Sequence, residues 1–418
     1  MIPDAMDRPD GQIDPATLYR LPWTAADNAM TWLEPTRKCN MTCDACFAVN
    51  DPHSEKSLEQ IARELNTMLR LRRCDAMLIA GGEPLTHPGI IDIVRMTRSR
   101  RVKPVIFTNG LFLNRPLLRE LKKAGLHGCT FHVDAHQSRP GWTGKSEKEL
   151  NELRSHLADM LHAEGGLTCA FNTTIFPDTL DAVPDVVAWA ASRPDRVHIL
   201  TFVCVRMADI DGPFEYFVGD TRVDFGNSPY VTGKHYDNLM NADVYAQITR
   251  ILPEFRFSAF LGGTVRPESL KWAIGFNVAS STRSYGSGGA RMMEIIQTGY
   301  HAFTGRYLGY AHPKATSHGK LSLLLAAVDP ELRQTARRYA AAVLRHPSEL
   351  FRKLHVQNIC VVQPSDILPN GEMDTCDGCP NKTYWEETLV SSCRLEEYKL
   401  FGGPVHAVPV MRKEVRPA

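Results

Sequence analysis

Glu34-Pro-Thr-Arg-Lys-Cys39-Asn-Met-Thr-Cys43-Asp-Ala-Cys46-Phe47 is the stretch on which the fold turns. It directly follows a strand-like apolar run, Met30–Leu33. Three thiolates spaced C-x3-C-x2-C can hold three irons of a [4Fe–4S] cube and leave the fourth open to a small molecule. Positions 39, 43 and 46 also line one face of a helix, so a buried cysteine stripe competes with the cluster. Asn40, Thr42 and Asp44 are poor helix formers and Pro35 stands upstream, which weighs against the stripe. A zinc ion would want a fourth ligand nearby.

Outward from that loop, residues 30–205 alternate between strand and helix patterns. Apolar runs fall at Met30–Leu33, Ala76–Ala80, Pro104–Thr108, Cys129–Asp134, Thr168–Thr174 and Val197–Val203. The clearest helix lies at 58–72, where Leu58, Ile61, Leu65, Met68 and Leu69 recur at helical spacing behind a Ser57/Gln60 capping box. Further helices are expected near 89–100, 115–124, 146–163 and 182–192. Strand, helix, strand, repeated six times, predicts an α/β fold: a partial (β/α)6 TIM-type barrel with functional groups at the C-terminal strand ends. Residues 1–29 read as an N-terminal extension. After 205 the rhythm breaks, and 206–355 reads as a variable, Gly- and aromatic-rich substrate region ending in a pair of basic amphipathic helices at 330–355. Residues 356–400 form a cysteine-bearing module, and 401–418 a tail.

Composition sets outer bounds. The chain has 418 residues, 43% of them hydrophobic, enough for a large core. With 48 basic and 47 acidic side chains, it has no global field for nucleic acid or an anionic membrane. The polar start MIPDAMDRPDGQIDP has no apolar segment like that of a signal peptide, and no apolar run reaches membrane-spanning length. A cytoplasmic, reducing setting is expected, where clustered cysteines serve metals more often than disulfides. Cys74, Cys129, Cys169 and Cys204 are scattered through apolar runs and read as small buried hydrophobes.

The next strand carries a second mark, Met77-Leu-Ile-Ala-Gly81-Gly82-Glu83-Pro84. A C-x3-C-x2-C loop after the first strand and a GGEP turn after the second resemble the radical S-adenosylmethionine (SAM) superfamily. The resemblance implies that Cys39, Cys43 and Cys46 bind the SAM-type [4Fe–4S] cluster, and that the Gly81, Gly82, Glu83 and Pro84 turn meets the amino group of SAM. Where many members have an aromatic before the third cysteine, this chain has Ala45, with Phe47 just after as a partial substitute beside the adenine. Thr108 and Asn109 end the third strand, Asp134 the fourth, and Asn172 lies on the fifth. The resemblance gives these polar positions ribose or carboxylate contacts, while plain capping of the next loop explains them as well. The implied chemistry is one-electron cleavage of SAM to methionine and a 5′-deoxyadenosyl radical that abstracts hydrogen from substrate. A donor such as flavodoxin or ferredoxin is implied as partner.

A second group comprises Cys360, Cys376, Cys379 and Cys393, with an Asn370-Gly371 hairpin signal between the first two. Its spacing is similar to the SPASM or shorter twitch module of that superfamily, and implies one auxiliary [4Fe–4S] cluster, with zinc as the other metal option. The substrate class stays open among peptide, lipid and small metabolite. The short Cys46-Phe-Ala48 and CDGCP runs also resemble superfamily enzymes that join or alkylate lipid chains, and the basic helices at 330–355 suit either packing on the barrel or contact with a membrane surface. His132, His136, Arg139, Trp142 and Arg206 are further pocket candidates. A non-catalytic zinc or iron–sulfur regulatory protein is the alternative function.

Overall fold

The structure, a computed structural model, describes residues 13–206, 214–231 and 239–410. The first twelve residues of the N-terminal extension and the last eight of the tail lie outside the described residues, as do 207–213 and 232–238 of the variable region.

A two-residue strand β1 (Tyr19–Arg20) precedes the six strands of the expected repeat: β2 (Met30–Thr36), β3 (Ala76–Gly81), β4 (Lys103–Thr108), β5 (Gly128–His132), β6 (Thr168–Ile175) and β7 (Ile199–Cys204). All five neighbouring pairings from β2 to β7 are parallel. Helices α1 (Leu58–Leu71), α2 (Ile90–Ser99), α3 (Arg115–Lys123), α4 (Asn151–Glu164) and α5 (Val183–Ala191) fill the crossovers. Side chains alternate faces along each strand. Met77 and Ile79 pack outward against the helices, whereas Ala76 and Leu78 face the inside of the curve. In α1, Ile61, Leu65 and Met68 are buried. Ser57 caps α1 by accepting from the Gln60 N–H, but the Gln60 side chain reaches forward to Glu64, so only half of the capping box forms.

The sheet does not stop at β7. Beyond the hairpin β8 (Phe214–Val218) and β9 (Thr221–Arg222), with helix α6 (Asn241–Ile251) following, come β10 (Phe257–Leu261), β11 (Trp272–Ala279) and β12 (Ser284–Gly288). Helices α7 (Ala290–Thr304), α8 (Pro313–Thr316), α9 (Gly319–Ser322) and α10 (Pro330–Arg345) precede β13 (His355–Val362). Among the described residues these build one 11-stranded sheet, ordered β1-β10-β11-β13-β7-β6-β5-β4-β3-β2, with β12 on β11. The six strands β2–β7 are therefore extended by five more, β1, β10, β11, β12 and β13, from sequence that showed no βα rhythm. The reason is local: β10, β11 and β12 are joined antiparallel, without crossover helices. Strand β13 begins at the expected edge of the cysteine module but pairs parallel with β7, so 355–362 belongs to the central sheet.

The expected helix pair at 330–355 is one helix, α10, followed by a short 3-10 turn at Pro347–Phe351. Pro347 lacks the N–H and breaks the helix. Asp329 caps both α10 and α7, accepting from the N–H groups of Leu332 and Met292 at 2.8 Å each. The cysteine module holds two small hairpins, β14 (Asp366–Ile367) with β15 (Met373–Asp374) around the expected Asn370-Gly371 turn, and β16 (Lys382–Trp385) with β17 (Thr388–Ser391). Helix α11 (Leu395–Phe401) follows, and β18 (His406–Pro409), inside the expected tail, pairs with β8. No helix among the described residues is long and apolar enough to cross a membrane.

Candidate functional site

The first cysteine loop leaves β2 and is fastened on three sides. The Cys39 N–H donates to Asn50 Oδ1 at 3.0 Å, and the Asp44 N–H to the His136 carbonyl at 2.9 Å. Cys43 forms an isolated antiparallel bridge with Gln137, in the loop after β5. From the third side, the Gly82 N–H donates to the Thr36 carbonyl at 2.9 Å and the Glu83 N–H to the Lys38 carbonyl at 2.8 Å. A Cβ on Gly81 or Gly82 would strike the carbonyls of Thr36, Arg37 or Lys38, and Gly81 has φ 112. The glycines thus let the second strand end lie directly against the cysteine loop.

Glu83 is 1% exposed and already engaged: it accepts from Thr108 Oγ1, the Asn109 N–H and the Leu85 N–H at 2.7–3.0 Å. Burial pushes its carboxyl up, against those three donors. Its carboxylate ties the ends of β3 and β4 together, so the expected ammonium contact would fall to backbone at Gly81 and Gly82. Pro84 starts a buried 3-10 turn behind the wall. Asp134 also stands behind it, holding His132 Nε2 at 2.8 Å and accepting the His136 N–H. Burial raises the Asp134 carboxyl, but His132 and the Thr174 and His136 N–H donors outweigh that and leave it lowered.

In front of the wall, Gly81, Gly82, Glu83, Thr108, Asn109, Asn172 and Phe47 all border one cavity of about 1410 Å³ that also meets Cys39, Cys43 and Cys46. Asn172 Oδ1 is buried with no hydrogen-bond partner among the described residues, an acceptor aimed at something the protein does not supply. Phe47 packs toward Tyr230, ring centroids 6.4 Å apart, and Ala45 takes φ 54. His132 borders the cavity, but the other pocket candidates do not. His136 stacks on Phe176, Arg139 is buried and donates to the carbonyls of Asn109 and His132, and Trp142 packs on the outer core. Arg206 pairs with buried Asp366.

The thiols of Cys39, Cys43 and Cys46 are all raised, first by burial. They would become thiolates only by exchanging protons for metal. Among the described residues no three metal-binding side chains are drawn close enough for a single ion. A zinc shell would bring sulfurs to roughly 3.8 Å from one another, given Zn–S near 2.3 Å and tetrahedral angles. A three-cysteine loop held open on the cavity wall fits a multi-iron group better.

The second group is assembled differently. Cys376, Cys379 and Cys393 lie together: the Cys376 thiol donates to Cys379, drawing that thiol down, with Ser391 and Arg72 adding, and Cys393 feels Cys379. Cys360 is not brought to them. It stands on β13 beside Thr201 and Ile274, facing the inside of the barrel, and only burial shifts its thiol. C-x10-G-x4-C spacing could not separate a barrel strand from the module it leads into. Sequence reading also passed over Arg72, which is 0% exposed. Its Nη2 donates to the Cys379 carbonyl at 2.6 Å, while Nε and Nη1 have no partner among the described residues. A buried cation with two unpaired donors beside Cys379 fits a site meant for an anionic group. Nothing in the run Leu69–Arg73 marks Arg72 out from its neighbours. The module is locked to the barrel by buried charges: Lys271 Nζ holds Asp366 at 2.5 Å and Asp374 at 3.2 Å. Helix α11 then bridges the two groups, Lys399 pairing with Glu34 at 2.7 Å and Glu396 with Arg37 at 3.4 Å. The cysteines of both groups border the same cavity.

Residues 33–190 match the profile of the Radical SAM superfamily. The chain is similar to GTP 3′,8-cyclase of Chlorobaculum tepidum, 31% identical over 141 residues, which cover 33% of this chain and 42% of that protein. It is also similar to the AdoMet-dependent heme synthase of Methanosarcina barkeri, 25% identical over 135 residues, or 30% of this chain and 38% of that protein. These superfamily relatives are enzymes, and the chain spans well under half the length of each. Among solved structures, SuiB of Streptococcus suis bound to S-adenosylmethionine aligns over 44% of this chain and 42% of its own, at 14% identity and a TM-score of 0.34, a likeness on which nothing further rests.

Proposed function

We propose that the protein is a radical SAM enzyme that modifies an unactivated C–H bond. One observation carries this reading: the Cys39–Cys46 loop and the Gly81–Glu83 turn interlock at the C-terminal strand ends, and both open onto a cavity of about 1410 Å³. Cys39, Cys43 and Cys46 would hold a [4Fe–4S] cluster with one iron free of protein. Such a cluster, when bound and reduced by a donor of the flavodoxin or ferredoxin kind, would supply the electron that splits SAM into methionine and a hydrogen-abstracting 5′-deoxyadenosyl radical. The chain's own residues would orient SAM and keep water out. The backbone at Gly81 and Gly82 offers acceptors, Asn172 Oδ1 an unused one, and Asn109 is fixed by its Nδ2 donating to Asn40 at 2.7 Å. Asp134 is a positioning residue, setting the ring of His132 at the cavity wall. Cys376, Cys379 and Cys393, with Arg72 behind them, would hold a second iron–sulfur group. The setting is proposed to be cytoplasmic.

Anaerobic reconstitution with iron and sulfide tests the reading. Two cubes predict about eight irons per chain and 5′-deoxyadenosine on adding SAM and dithionite. Fewer than about four irons, or no SAM cleavage, would refute it. Zinc bound tightly with no cleavage would favour the regulatory alternative.

A further inference from the structure

A parallel barrel normally fills its bore with layers of side chains. Here the bore is hollow. The cavity beneath the cysteine loop continues down between the strands and out at the other end. At about 1410 Å³ it exceeds the roughly 300–1,000 Å³ usual for small-molecule pockets. Its middle is walled by Trp32, Leu78, Phe107, Trp272, Ile274 and Phe276. Thr130, which interrupts that wall, shares a 3.0 Å hydrogen bond with the Tyr310 hydroxyl. Asn109, His132 and Asn172 supply polar groups near the upper end, and Gln297, His318 and Ser322 near the lower one.

The lower end is partly floored. Residues 308–311 cross under the strand starts, with Lys103 Nζ donating to the Tyr310 carbonyl at 2.9 Å and Thr168 Oγ1 to the Ala311 carbonyl at 2.8 Å. Past that floor the bore opens. Leu321 and Leu324 border the cavity and are nevertheless 62% and 76% exposed. Apolar side chains that wall a cavity and also face solvent mark a mouth. Beside it lie exposed Leu350 and Phe351, tied in by Lys320 Nζ donating to the Leu350 carbonyl at 2.5 Å. The surrounding segment 312–353 carries eight Lys and Arg against three Asp and Glu. Two of those three, Asp329 and Glu349, are buried, Asp329 capping helices and Glu349 accepting from Tyr285 and Thr282. The rim is thus greasy and cationic together.

We propose that the bore binds the hydrocarbon chain of a bilayer lipid, taken tail first through the lower mouth while the Leu321–Phe351 rim rests on an anionic membrane surface. Drawing a chain through water costs about 0.8 kcal/mol per methylene. Passing it from bilayer directly into an apolar bore avoids that cost, which is what a greasy mouth provides. Exposed Lys and Arg near anionic lipid add about 1 kcal/mol each. The headgroup stays at the rim, and the far carbons of the chain lie beneath the Cys39–Cys46 loop. The choice of carbon to be modified rests on the radical SAM reading above, but the binding does not.

The test uses the full chain and vesicles whose lipids carry a brominated stearoyl chain, a short-range quencher of tryptophan fluorescence. Trp23, Trp32 and Trp272 border the cavity, whereas Trp142, Trp189 and Trp385 do not. Phosphatidylglycerol vesicles should quench, phosphatidylcholine vesicles far less. The triple variant Trp23→Phe/Trp32→Phe/Trp272→Phe should lose most of the quenching while still sedimenting with vesicles. Leu321→Glu/Leu324→Glu, at exposed positions that the fold does not need, should bind vesicles at least about tenfold more weakly. Quenching that survives the triple tryptophan variant, absence of quenching, or equal response to both lipids would overturn the proposal. Because neither iron nor SAM enters the readout, such a failure leaves the SAM-cleavage experiment standing.

Discussion

The two cysteine groups border one cavity yet are built by opposite means. The first is a continuous loop of eight residues, fixed by backbone hydrogen bonds to its neighbours, with Cys46 exposed. The second joins residues 376 to 393 over a buried, unsatisfied arginine contributed by the far end of α1, and it is locked down by ion pairs. A local loop can lend an open face to a ligand, whereas a site closed by buried charge is suited to holding one group permanently.

The largest effect expected from this contrast is at Cys43. Cys43→Ala should reduce 5′-deoxyadenosine formation at least about a thousandfold and remove about four irons, whereas Cys379→Ala should remove irons but spare some SAM cleavage. Cys360→Ala should keep the full iron content, and loss of iron there would return Cys360 to the ligand set. Next is Arg72→Met. If the second group is occupied by an anion, losing the buried cation should destabilise the loaded protein by about 3–5 kcal/mol, read as a shift in the urea midpoint. No shift would sever Arg72 from the site.

A smaller effect concerns the lock on the second module. Burial raises the Asp366 carboxyl, but Arg206 and Lys271 outweigh it and bring it down to about 2. The unfolded chain has an aspartate near 3.9, so this group stabilises the fold fully above about pH 4 and ceases to as pH falls toward 2, a difference of about 2–3 kcal/mol. Urea midpoints of Asp366→Asn at pH 7 and pH 3 should differ less than those of the parent chain. Smallest is Gly82→Ala, where the new methyl strikes the carbonyls of Arg37 and Lys38. It should cost about 1–3 kcal/mol and weaken the first cluster's retention while leaving the second unchanged.

What was legible in the sequence follows the same divide. The loop at 39–46, the GGEP turn and the strands β2–β7 are local patterns, and they stand where periodicity and spacing put them. The glycines of the turn were legible by position but not by reason: their closeness is to the cysteine loop. Cys360 looked like a module ligand because of the C-x10-G-x4-C pattern that leads to Cys376, and spacing carries no information on which way a strand's side chains point. Strands β10, β11 and β12 were missed because antiparallel strands joined without crossover helices leave no βα rhythm. Arg72 was invisible because its role depends on Cys379, 307 residues away.

One pairing has a consequence in time. Strand β13 completes the sheet beside β7, yet the chain must run from Cys204 to His355 before the two can meet. At about 5–20 residues per second, synthesis of that interval takes roughly 8–30 s. Throughout it the edge of β7 stands without its partner while the first cysteine loop has already left the ribosome. The barrel wall nearest the second cysteine group is therefore the last to close, and until then the nascent chain carries its bore open along one side.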